Sequence, residues 1–141
     1  MSSREERRAA RLRVKIPTLI NVIGQKDPAL PAGLAAVYER VKPATERVGD
    51  RFPAVLRDLS TNGAFIAGYP LPLLSRVGFT FSLDGFGQVE VLAWSLWRRH
   101  KDCEVPQDGH PLKLEAGFGV LFEAISLDAR RAIAEHVAKS P

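Results

Sequence analysis

The stretch Arg57-Asp58-Leu59-Ser60-Thr61-Asn62-Gly63-Ala64-Phe65-Ile66 decides how this chain folds. Asn-Gly between two apolar runs is the strongest short-range hairpin signal, because both central residues of a type I′ turn take φ > 0. A strand is therefore predicted before Asn62-Gly63 and an antiparallel strand after it. In an extended strand, side chains at i and i+2 share a face, so Asp58 and Ser60 emerge together while Leu59 points the other way. The product is a small polar fork at a hairpin mouth, with Gly63 leaving backbone open to a ligand.

Strand patterns continue on both sides of the fork. Upstream, Val14, Ile16, Leu19 or Ile20, Val22 and Ile23 read as a first strand, with Pro17 marking an edge or a bulge. Downstream, Val77, Phe79, Phe81 and Leu83 alternate, Asp84-Gly85-Phe86-Gly87 makes a turn, and Val89, Val91, Ala93, Ser95 and Trp97 line one face of a long strand. A polar loop from His100 to Pro111 carries Cys103, and Lys113 to Phe122 reads as the last strand.

Two segments carry helical periodicity instead. Leu34, Val37, Tyr38 and Val41 fall at i, i+3, i+4 and i+7, which predicts an amphipathic helical insertion within 28–48. Ser126 is placed to cap a final helix over 126–138, whose Ala129, Ala132, Ile133, His136 and Val137 share a face. Short strands divided by turns, then one helix, predict an all-β-dominated domain. The expected architecture is a small antiparallel barrel with a C-terminal helix and an inserted helix. Residues 14–141 form that single domain, preceded by a flexible arginine-rich arm over 1–13.

Charge is concentrated in that arm. The chain of 141 residues carries a formal +4. Residues 1–15 hold Arg4, Arg7, Arg8, Arg11, Arg13 and Lys15 against Glu5 and Glu6, six cations against two carboxylates, which accounts for all of it. An anionic partner for the arm is the implication, rather than a generally basic surface. The single cysteine excludes an intramolecular disulfide. No apolar run approaches the ~20 residues that span a bilayer, and the charged start has no apolar segment behind it. A cytoplasmic protein without a membrane partner is expected.

No enzyme constellation stands out, and neither a catalytic residue nor a metal site is expected. His100, His110 and His136 are far apart and lack metal-ligand spacing. Gly117-Phe118-Gly119 sits in a strand pattern and opens no helix, so it is not a phosphate loop. Asp58 has no histidine partner in the pattern, but an ionised carboxylate is a good acceptor. Read singly, residues 58–63 are a hairpin with incidental polar residues, and the arm is a solvated charged tail.

Taken together, the two features resemble the PilZ domain family. Arg7-Arg8-Ala9-Ala10-Arg11 is similar to its RxxxR motif, and Asp58-Leu59-Ser60-Thr61-Asn62-Gly63 fits its [D/N]xSxxG motif at every fixed position. Val89 to Trp97 resembles the family strand that ends in tryptophan. Gly117 to Phe122 followed by Ser126 resembles its last strand and helix start. The likeness covers residues 7–23 and 50–137. Arg4-Glu5-Glu6-Arg7-Arg8 supplies a second RxxxR frame, so the arm has two registers.

The resemblance implies a six-stranded antiparallel barrel that binds the bacterial second messenger cyclic di-GMP as a non-enzymatic receptor, with no cofactor. Arg7, Arg8 and Arg11 would meet phosphates and guanine Hoogsteen edges, since guanidinium groups pair bidentately with both. Asp58 would accept from the guanine N1–H and N2–H donors, Ser60 would add a hydroxyl contact, and Gly63 would admit the backbone. The arm would close over the nucleotide and alter the surface offered to an unidentified effector protein. Some PilZ-like domains bind no nucleotide and act through protein contacts. The alternative is thus an interaction module in motility or polarity regulation, with the 28–48 helix serving a partner or a homo-oligomer. Binding of nucleic acid through the arm is not expected, because the rest of the chain is neutral and shows no basic stretch interleaved with aromatics.

Overall fold

A computed structural model of the chain describes residues 11–25, 33–34, 48–107 and 109–139. Strands β1 (Leu12–Gln25), β2 (Arg51–Leu59), β3 (Gly63–Ala67), β4 (Ser75–Leu83), β5 (Gly87–Arg99) and β8 (Gly117–Ile125) close into a barrel in the order β1-β2-β3-β8-β5-β4. All neighbours are antiparallel, and β1 pairs β4 to complete the ring. Strands β6 (Cys103–Gln107) and β7 (His110–Leu114) form a separate hairpin between β5 and β8. Helix α1 (Leu127–Lys139) ends the fold. The six-stranded barrel and terminal helix expected from the sequence are present. No helix among the described residues is long and apolar enough to cross a membrane.

Alternation builds the interior. Val77, Phe79, Phe81 and Leu83 on β4, and Val89, Val91 and Ala93 on β5, all point inward and are buried. They meet Ile20 and Val22 from β1, Leu56 and Leu59 from β2, Ile66 from β3, and Phe118, Val120 and Phe122 from β8. Helix α1 adds Ala129 and Ile133 to this core and packs Ala132 and Val137 against it. Its start is set by Ser126, whose Oγ accepts from the Ala129 N–H at 3.1 Å, a cap worth about 1 kcal/mol. His136 Nε2 donates to the Asp84 carbonyl at 2.7 Å, tying the helix to the turn that joins β4 and β5.

Bulges bend the strands to close the ring, and they redirect side chains. On β2 the register shifts between Leu56 and Asp58. Leu56 and Leu59 therefore both face the core, while Arg57 and Asp58 stay half-exposed. On β5 the register shifts between Ser95 and Trp97. The predicted face holds from Val89 to Ser95, which is buried, but the shift turns Trp97 out to 42 % exposure.

Three further expectations are corrected. The turn after β2 is not type I′, since neither Asn62 nor Gly63 takes a positive φ. Residues 60–62 instead form a loop closed by the Ser60 N–H donating to the Gly63 carbonyl at 2.9 Å. The polar loop expected from His100 to Pro111 contains β6 and the start of β7. The expected strand from Lys113 to Phe122 is two strands, broken at Glu115 and Ala116. The helix expected over 28–48 lies outside the described residues but for Gly33, Leu34 and Val48, and so do Arg7 and Arg8.

Candidate functional site

The head of β1, the end of β2, the start of β3, the end of β5 and the middle of β8 meet at one patch of the barrel. Two adjoining clefts, of about 210 and 370 Å³, open there and share Arg11, Asp58, Phe65 and Trp97. The smaller also takes in Ser60, Gly63, Leu96 and Leu121. Arg11, at the head of β1, and the fork after β2 thus border the same hollow. Of the residues expected at the site, Arg11, Asp58, Ser60 and Gly63 are brought together, while Arg7 and Arg8 fall outside the described residues.

Asp58 owes its position to two pairings. It sits opposite Arg13 on β1 and opposite Phe65 on β3, and the β2 bulge turns it outward. Among the described residues it makes no ion pair, so its oxygens are available to donors from outside. Ionised, it is purely an acceptor.

Ser60 and Gly63 do different work. The Ser60 hydroxyl accepts from the Gly63 N–H at 3.1 Å and from the Asn62 N–H at 3.3 Å, and donates to the Gly63 carbonyl at 3.1 Å. It is a clamp on the turn, with its one proton already committed. Gly63 runs so close to β8 that a Cβ would strike the Val120 carbonyl. Its missing side chain serves strand packing as well as the cleft. The turn is further fastened to β8 by the Phe122 N–H, which donates to the Asn62 carbonyl at 2.8 Å.

The cleft also holds an aromatic platform. Phe65 and Trp97 stack with centroids 5.2 Å apart and planes 9° from parallel. The Arg99 guanidinium carbon lies 5.2 Å from the Phe65 centroid and 5.3 Å from that of Trp97. Such an aromatic pair adds about 0.5–1.5 kcal/mol and each cation–π contact about 0.5–1 kcal/mol. Phe65 is buried under these groups although it is not part of the barrel core. Trp97 has room to lie flat because its partner in register is Gly119.

Sequence reasoning assigned neither Trp97 nor Arg99 to the site. The available signal was Gly119 within Gly117-Phe118-Gly119: a glycine in a strand marks a close approach, here of the indole. Nor did it find a basic surface interleaved with aromatics. Arg13, Arg57, Arg99 and Lys113 come from four strands and converge beside Phe65 and Trp97. The arrangement brings together a carboxylate acceptor, a partly exposed indole and several cations. Among the described residues, no group of His, Cys, Asp and Glu is arranged to hold a metal ion. Comparisons with protein families, with curated proteins and with solved structures gave no match.

Proposed function

We propose that the chain is a PilZ-type receptor for cyclic di-GMP, acting by binding rather than catalysis. The observation that carries this reading is the meeting of Asp58, Arg11 and the exposed Trp97 on one cleft, although they are far apart in sequence. A guanine edge presents N1–H and N2–H together, which suits a carboxylate with no partner among the described residues. A guanidinium suits the phosphate or the O6/N7 edge, and an indole face suits a base plane. Arg7 and Arg8 extend the same chemistry if the arm lies over the nucleotide, and that closure would present a new surface to an effector protein.

Titration calorimetry with cyclic di-GMP tests the reading on wild type, Arg11→Ala, Asp58→Ala and Trp97→Ala. Wild type is expected to bind, and Asp58→Ala to lose on the order of tenfold or more, as follows from removing a hydrogen bond to a charged group. Arg11→Ala and Trp97→Ala are each expected to weaken binding. Absence of binding by wild type, or full affinity in both Asp58→Ala and Arg11→Ala, rules it out.

A further inference from the structure

We infer that the larger cleft, walled by the β6–β7 hairpin, is a second anion subsite that takes the other phosphate-bearing half of the ligand; this rests on the cyclic di-GMP reading. The cleft of about 370 Å³ lies on the hairpin side of the Phe65–Trp97 stack. Arg13, Arg57, Arg99 and Lys113 reach it from β1, β2, β5 and β7, against Asp58 and Glu115. Glu115 engages two of those cations. Its carboxylate pairs with Arg57 Nε at 2.9 Å, and its backbone carbonyl accepts from Arg99 Nη1 at 2.8 Å. Arg13 and Lys113 have no ion pair among the described residues. Four cations gathered beside an aromatic face with only one of them ion-paired suit a phosphate.

The root of the hairpin is tied to the barrel without the Glu115 carboxylate. The Ala116 N–H donates to Asp102 Oδ1 at 2.7 Å, and the Ala116 carbonyl accepts from the Gly68 N–H, just after β3, at 2.9 Å. Lys113, three residues before that anchor, lines the subsite. A mononucleotide seated on Asp58 in the smaller cleft need not touch Arg13 or Lys113, which line only the larger one, whereas a dinucleotide reaches both. Lys113 and Arg13 then favour the dinucleotide. Glu115 opposes it, since its carboxylate competes with phosphate for Arg57.

The test is calorimetric titration of the full chain with cyclic di-GMP and, separately, with GMP, using wild type, Asp58→Ala, Lys113→Glu and Glu115→Gln. Lys113 and Glu115 are exposed, so neither change disturbs the core, and thermal melts check this. For cyclic di-GMP, Lys113→Glu is expected to weaken binding on the order of tenfold and Glu115→Gln to strengthen it roughly threefold. GMP affinity is expected to shift by less than about twofold in both, a change that long-range screened charge alone produces. If wild type binds and Asp58→Ala does not, but Lys113→Glu keeps full affinity, the subsite is wrong and the receptor reading stands. Equal weakening for GMP and cyclic di-GMP also overturns it. A wild type that does not bind cyclic di-GMP removes both.

Discussion

The indole of Trp97 lies across Gly119 and fills the space where any larger residue at 119 would place its Cβ. The platform of the cleft therefore depends on a residue that contributes no side chain to it. Gly119→Ala is expected to push the indole off Phe65 and to cost about 1–3 kcal/mol, the range for overpacking. The cause is separable by a double-mutant cycle in urea unfolding. In a Trp97→Ala background the same glycine change should cost about 1 kcal/mol less, because nothing is left to displace. Equal costs in both backgrounds would assign Gly119 to the backbone alone.

The two fully buried serines should respond in opposite directions. Ser75 Oγ donates to the Pro72 carbonyl at 2.7 Å, whereas Ser95 Oγ is buried without a hydrogen-bond partner among the described residues. Removing an unsatisfied hydroxyl relieves its desolvation penalty, while removing a satisfied one forfeits its bond and leaves the Pro72 carbonyl only the longer one from the Ser75 N–H, at 3.3 Å. Ser95→Ala is expected to stabilise by about 1 kcal/mol and Ser75→Ala to destabilise by about as much. Chemical denaturation midpoints at unchanged m-value decide the matter.

How far the fold was legible follows the same physics. Strands with one buried face announce themselves by alternation, and β4 and the first part of β5 were readable residue by residue. The β6–β7 hairpin was not. Residues 103–106 and 109–114 are exposed or half-exposed, and the only alternation is the short Leu112-Lys113-Leu114 run after Pro111, too little to mark it. Of the bulges, only that of β1 was signalled locally, by Pro17 beside it, and it is the β5 bulge that carries Trp97 from the interior to the cleft. Asp58 was readable because a turn lay beside it. The Phe65–Trp97–Arg99 platform was not, because it depends on the register of β8 between β3 and β5, a relationship that no stretch of sequence encodes by itself.

The Asp58-x-Ser60-x-x-Gly63 pattern divides into one residue that faces the cleft and two that build the turn, and three substitutions should separate them. Asp58→Asn keeps shape but turns half of the acceptor into a donor, and Asp58 has no ion pair among the described residues to lose. Its stability should stay within about 0.5 kcal/mol of wild type, as for surface changes, while nucleotide affinity collapses. Ser60→Ala removes three hydrogen bonds that hold Asn62 and Gly63, so it should cost about 1–2 kcal/mol of stability. Its affinity should fall less than that of Asp58→Asn, because the hydroxyl proton is already given to Gly63. Gly63→Ala drives a methyl into the Val120 carbonyl across two paired strands, and backbone on both sides leaves little room to relax. It should be the most destabilising of the three, at about 3 kcal/mol or more, with affinity lost through unfolding. Tm and Kd measured on the same samples check the division. A Ser60→Ala variant of unchanged Tm and abolished binding would instead make Ser60 a ligand contact.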